Sequence, residues 1–272
     1  MFDLHVHTAP CLLPRRAGDV ETVDEYQRAG FAGCVLKGHF EPTVGRAAAA
    51  ARGRPLDVLG GIVLNEPVGG LNPSAVETSL GLGARIVWMP TFDARAHREA
   101  GLPVLPSASA NQGLAVPPSD PGSEAAVRRI LALVAEADAV VATGHLSPEE
   151  AAWLVRAARD EGARRILLTH PSFTVPALSA SATKELLDLG AFAEVTAYQL
   201  LHQSDWDAAR LAAFLRALPA ERCILSSDAG QPNSPAAPEA IALLLDVLVA
   251  EGLDAGALEA MCSEIPARLV RA

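Results

Sequence analysis

The stretch Phe2-Asp3-Leu4-His5-Val6-His7 decides how the rest of the chain reads. It is short and alternates apolar with polar residues, as a strand does. Strand side chains alternate between faces, so His5 and His7 project to the same side, one step apart. Two imidazoles placed in this way can bind one divalent ion together. An H-x-H pair alone is a weak signal, because a strand can also hold both rings as hydrogen-bonded core residues. What recurs downstream favours the metal.

Seven further runs have strand composition: Ala32–Lys37, Asp57–Leu64, Ala84–Met89, Ala139–Thr143, Arg165–Thr169, Ala191–Val195 and Arg222–Ser227. They are short, apolar and mostly rich in Val, Ile or Leu, as parallel strands buried on both faces are. Amphipathic helical segments fill the gaps, at 20–29, 43–52, 73–82, 123–137, 148–161, 181–189, 205–217 and 236–251, with a shorter one at 254–262. Ser147-Pro148-Glu149-Glu150 offers an N-cap, a proline at the first helical position and a glutamate at the third. Asn72-Pro73 reads as a second cap, and Ser204 with Asp207 as a third. Eight strands alternating with eight helices give an α/β chain of the (β/α)8, TIM-type barrel class, with one domain over residues 1–272. An open doubly wound sheet is the alternative, but no Gly-rich phosphate loop follows the first strand, so nothing points to a dinucleotide. Thr91–Gly122, rich in Pro, Ser, Ala and Gly, reads as a long loop over the active face.

Half of the 272 residues are hydrophobic, enough for a sizeable core, and the net charge is −10. That charge argues against a nucleic-acid partner, which needs clustered Lys and Arg. The four Cys are scattered and form no C-x-x-C, as free thiols in a reducing compartment would be. No signal peptide or membrane-length apolar run is legible, so a cytoplasmic protein with no membrane partner is expected. A homo-oligomer is compatible with a barrel enzyme, although no surface patch announces one.

The chemistry-bearing residues gather at the strand ends. His7 ends the first strand, and Lys37 and His39 the second. His145 follows Thr143-Gly144, His170 follows Thr169, Glu194 lies near the end of the seventh strand, and Asp228 follows Ser226-Ser227. Barrel enzymes build their sites at these C-terminal ends. The order H-x-H, His, His, Asp along strands one, five, six and eight resembles the amidohydrolase superfamily of metal-dependent hydrolases. The resemblance spans essentially the whole chain. The tail Glu264-Ile265-Pro266-Ala267-Arg268-Leu269 is similar to the Asn-Pro-Ala-Arg ending common there, without its Asn. The resemblance implies a compact, barrel-only member. Its divalent metal would be held by His5, His7, His145, His170 and Asp228, with Asp228 also taking a proton. Zinc is the first candidate, with manganese, iron or nickel as alternatives, at one or two ions per chain. The fourth strand ends Trp88-Met89-Pro90-Thr91 and lacks the bridging Lys or Glu of many binuclear members. His39 also resembles the polymerase-and-histidinol-phosphatase (PHP) family of phosphoesterases, although Gly230 stands where that family ends Asp-x-His.

The expected reaction is attack by metal-activated water on an amide, cyclic amide or lactone carbonyl of a small-molecule substrate. A PHP-like phosphoester hydrolase, a metal-dependent decarboxylase or lyase, and a non-catalytic metal- or ligand-binding barrel are the alternatives. Lys37 and His39 share strand parity and are expected to face inward, polarising substrate or completing a second metal site. Lys37 is open to carboxylation, to an ion pair with Glu194, or to binding a substrate anion. Glu194, Arg15 and Arg16 are further candidates for ligation or substrate contact. His97, between Arg95 and Arg98, is expected in solvent, and His202 at the surface.

Overall fold

The computed structural model describes residues 1–104 and 112–271. Eight strands run in chain order around one sheet: β1 (Phe2–Val6), β2 (Gly33–Leu36), β3 (Asp57–Val63), β4 (Ile86–Trp88), β5 (Val140–Ala142), β6 (Arg165–Leu168), β7 (Phe192–Thr196) and β8 (Cys223–Ser226). Each successive pair is parallel. The strands are almost wholly buried, which explains their near-continuous apolar composition. The barrel closes between β8 and β1. There the His7 amide donates to the Ala229 carbonyl at 2.9 Å, and the Asp228 amide to the His5 carbonyl at 2.8 Å. The Asp3 carboxylate stitches the same seam, accepting from the amides of His5 (3.0 Å) and Ser227 (3.1 Å). This seam therefore couples the two segments that carry His5, His7 and Asp228.

The outer helices are α1 (Asp19–Arg28), α2 (Val44–Ala51), α3 (Pro73–Gly81), α4 (Arg95–Glu99), α5 (Glu124–Glu136), α6 (Pro148–Asp160), α7 (Ala180–Asp188), α8 (Ala197–His202), α9 (Ala208–Arg216), α10 (Ala237–Ala250), α11 (Ala255–Met261) and α12 (Glu264–Val270). Helix α6 starts with the full capping box, Ser147 and Glu150 each satisfying the other's backbone. Asn72 caps α3 with Pro73 at its first position. At α9 the cap is Asp207, which accepts from the Arg210 amide, and not Ser204; the helix therefore starts three residues later than its composition suggests. The stretch Thr91–Gly122 is not one continuous loop. It contains α4, and Asp93 and Arg95 pair with Leu114 to pin its two ends together. Its residues 105–111 lie outside the described residues. Helices α4, α8 and α12 have no counterpart in the sequence pattern; each is only five to seven residues long, too short for a helical period to show. Among the described residues no helix is long and apolar enough to cross a membrane.

Candidate metal centre

Local backbone geometry presents the site. His170 and Asp228, immediately beyond β6 and β8, hold left-handed φ values of 27° and 49°. Such conformations cost non-glycine residues about 1–3 kcal/mol and persist where the surroundings impose them, often at working sites. Gly230 (φ 123°) is required because a Cβ there would collide with the His7 carbonyl. At Gly144 (φ 58°), just before His145, a Cβ would likewise collide with the Met89 carbonyl.

Three acceptor atoms converge between β1 and β8. His5 Nε2 and His7 Nε2 are 3.3 Å apart, and Asp228 Oδ1 lies 3.1 Å from each. All three residues are buried. His7 Nδ1 lies 2.9 Å from the Lys37 carbonyl oxygen. A carbonyl only accepts, so the proton of a neutral His7 belongs on Nδ1, leaving Nε2 as a bare lone pair facing Asp228. His5 Nδ1 likewise faces Glu194 Oε2 at 3.2 Å. Metal-ligating histidines are held in this way, with the far nitrogen donating to a carbonyl or carboxylate and the near one free for the ion.

The electrostatics point the same way. Burial, reinforced by the Arg15 charge, holds the His7 pKa well below its ordinary value, so His7 is neutral and has one proton for two acceptors. Burial also opposes charge on His5, but Asp228 and Glu194 overcome it and raise its pKa to about 9. Burial disfavours the Asp228 carboxylate, yet the facing His5 and His7 hold its pKa well below the carboxylate range. Lys37 Nζ lies 3.0 Å from His5 Nε2 and over the Trp88 ring; burial lowers its pKa to about 8. A proton on His5 or the Lys37 ammonium can satisfy His5, but neither relieves His7 Nε2 facing Asp228 Oδ1. A cation among the three atoms relieves all the contacts at once, so the donor set fits a divalent ion.

The other candidate residues fall into distinct places. His170 lines the same cavity; its Nδ1 is buried without a partner among the described residues, and burial lowers its pKa to about 4, leaving a neutral nitrogen ligand available. His145 also lines the cavity, but its Nδ1 is taken by His97 Nδ1 at 2.8 Å. His97 Nε2 donates to the Pro103 carbonyl at 3.0 Å, so His97 Nδ1 must accept and His145 Nε2 is left as the lone-pair nitrogen. His97 is therefore buried against His145 rather than in solvent; α4 turns it inward. His202, half-buried, bonds the Ser234 hydroxyl at 2.7 Å. His39 stacks on His7 with centroids 4.5 Å apart and bonds Thr91 Oγ1 at 3.0 Å, outside the tight donor group. Glu194 pairs with His5 and not with Lys37, and its Oε1 is buried and, among the described residues, unpartnered. Arg16 is turned away into a two-pronged bond with Glu25 at 2.8 and 2.9 Å, which removes it from the site. Arg15 lines the cavity. Asp3, Tyr198 and Phe173 belong to the site or its support, and nothing in their local sequence marked them.

The cavity above the three acceptors holds about 270 Å³. Its walls are largely apolar, with Phe92, Phe173, Leu13, Leu102 and Pro103 facing the polar floor.

A family model matches residues 1–194, from β1 as far as Glu194. The chain belongs to DUF6282, a family of unknown function. The matched part of this DUF6282 chain contains His5, His7, Lys37, His145 and His170, while Asp228 lies beyond it. Comparison with curated protein sequences finds no match. Solved structures share the barrel. The organophosphorus hydrolase from Deinococcus radiodurans is similar at TM-score 0.65 and 14% identity, over 99% of this chain and 92% of that one. An amidohydrolase from Pseudomonas aeruginosa is similar at 0.65 and 12%, over 99% and 95%. N-acetyl-D-glucosamine-6-phosphate deacetylase from Mycobacterium smegmatis is similar at 0.61 and 17%, over 98% and 75%. These similar structures, one of them named an amidohydrolase, lend the PHP resemblance no support.

Proposed function

We propose that the protein is a metal-dependent hydrolase that cleaves an amide, cyclic amide or lactone bond in a small molecule. One observation carries this reading: a neutral His7, with one proton, faces two buried acceptors, Lys37 O and Asp228 Oδ1, beside the equally directed His5 Nε2. His5, His7 and Asp228 would hold the ion, with His170 supplying a further neutral donor, and zinc suits this set. A divalent ion there supplies Lewis acidity and lowers the pKa of a bound water towards about 7.

The remaining steps belong to the chain's own groups. Glu194 and the Lys37 carbonyl fix the His5 and His7 tautomers. Asp228 Oδ2, with no bond to the described protein, accepts the proton of the attacking water and returns it to the leaving nitrogen or oxygen. The Lys37 ammonium polarises the substrate carbonyl, while His145 Nε2, a lone pair, accepts from a substrate N–H or adds to the metal's donors. The apolar walls limit bulk water around the reacting bond. The names of the similar structures, an organophosphorus hydrolase and a deacetylase among them, agree with hydrolysis as the reaction type.

The test is turnover of a panel of small amides and lactones by zinc-loaded, chelator-treated and Asp228→Asn protein. Activity present only with metal, and lost in Asp228→Asn while fold and most metal remain, supports the reading. Normal turnover by Asp228→Asn, or by metal-free protein, overturns it.

A further inference from the structure

Among the described residues Arg16 has a hydrogen-bond partner and the adjacent Arg15 has none. The Arg16 guanidinium is taken by Glu25. Arg15 lines the cavity, and its Nε and Nη2 are buried with no hydrogen-bond partner among the described residues. These two nitrogens share one edge of the guanidinium, the edge that grips a carboxylate side-on through two parallel bonds. The surrounding backbone is fixed: the Arg16 amide donates to the Gly230 carbonyl at 2.9 Å and the Ala9 amide to the Ala17 carbonyl at 2.8 Å. Arg15 is thus held beside the segment that carries Asp228, on a loop anchored at both ends. Other arginines near the site are occupied, Arg46 by Asp19 and Glu41, and Arg98 by Asp93 and Glu66.

We infer that Arg15 anchors a carboxylate on the substrate, so that the cavity takes a small carboxylic acid anion with an apolar body. Burying two guanidinium N–H groups unpaired is costly, and a bidentate carboxylate removes that cost. Charge balance agrees. Lys37 and Arg15 offset Asp228 and Glu194, so a divalent ion leaves the cavity positive, and an anionic ligand compensates. The volume of about 270 Å³ and the walls of Phe92, Phe173, Leu13 and Leu102 suit one ring or a short branched chain behind the carboxylate. The inference rests on the hydrolase reading only for the bond that is cleaved; the anion site stands on Arg15 itself.

Calorimetric titration of the purified protein with benzoate, benzamide and inorganic phosphate tests it, using wild type, Arg15→Met and Arg15→Lys. Wild type is expected to prefer benzoate to benzamide. Arg15→Met should weaken benzoate at least tenfold and leave benzamide unchanged. Arg15→Lys, which keeps the charge but loses the fork, should fall between them and guards against a folding defect in Arg15→Met. Equal benzoate affinity in wild type and Arg15→Met, no benzoate binding by wild type, or Arg15-dependent binding of phosphate without benzoate would each overturn the inference. Elemental analysis of the same samples separates the two proposals. Arg15-dependent benzoate binding by protein that takes up no metal keeps the anion site and sinks the hydrolase. Metal-bearing protein that binds benzoate independently of Arg15 does the reverse.

Discussion

Gly230→Ala tests how the β8 end supports the centre. At φ 123° the backbone is one that side chains rarely adopt, and a Cβ would lie 2.0 Å from the His7 carbonyl oxygen. An ordinary contact needs roughly 3.4 Å between such atoms, so the two segments must separate by more than an ångström. The carbonyl that must give way belongs to a proposed ligand, and the moving glycine is two residues from another. Gly162→Ala is the matched control: φ is 87°, and nothing lies within 4 Å of where a Cβ would stand. The control bears only the conformational cost of about 1–2 kcal/mol. Gly230→Ala bears that and an overpacking cost of about 1–3 kcal/mol, so it should be the less stable by the latter amount in urea unfolding. A shift of about 1 Å in a ligating residue also exceeds the tolerance of roughly 0.5 Å for a working site. Zinc affinity, measured by competition with a chelating dye, should therefore fall in Gly230→Ala and not in Gly162→Ala. Equal stability and equal zinc affinity in the two variants would refute the argument that the seam sets the ligand geometry.

Glu194→Gln should lower zinc affinity by about 10–100-fold, because the group that fixes the His5 tautomer is lost; unchanged affinity in the same competition assay would count against that role. Asp3 gives a pH signature. Burial raises its pKa to about 6, only partly offset by hydrogen bonds from Ser227, Tyr26 and the His5 amide. The folded state thus binds this proton more tightly than the unfolded chain does, so its contribution to stability grows as pH falls from above 6 towards 4. Relative to Asp3→Asn, wild type should gain roughly 3 kcal/mol over that interval, read from urea unfolding at each pH; a flat difference would show the carboxyl to be unperturbed. His97→Ala removes the acceptor of His145 Nδ1–H and frees that ring to flip. It should lower kcat more than it raises KM on whichever panel substrate is turned over, and His97→Gln, which offers an acceptor, should restore part of the loss.

The barrel was legible because its strands are buried on both faces. A run such as Val140-Val141-Ala142 has nowhere else to go, and the proline and cap at Ser147-Pro148 mark where the following helix begins. Strand parity carried His5 and His7 to one side, and the strand-end positions of Lys37, His170 and Asp228 brought them to the same cavity. What stayed hidden depends on contacts between distant segments. Nothing local says that His97, set between two arginines, turns inward against His145 from another strand end. Nor does the pair Arg15-Arg16 reveal which guanidinium Glu25 takes, since that is decided when α1 packs beside the loop. Asp3 looked like an ordinary polar residue of the first strand, yet it is the carboxylate that closes the barrel seam.

The decisive measurement is elemental analysis of protein purified without added metal, for wild type and for the His5→Ala/His7→Ala double variant. A centre built from His5, His7 and Asp228 predicts about one equivalent of a divalent metal in wild type, and none in the double variant. Wild-type protein that carries no metal, and takes up none when offered zinc, manganese, iron or nickel, would contradict it.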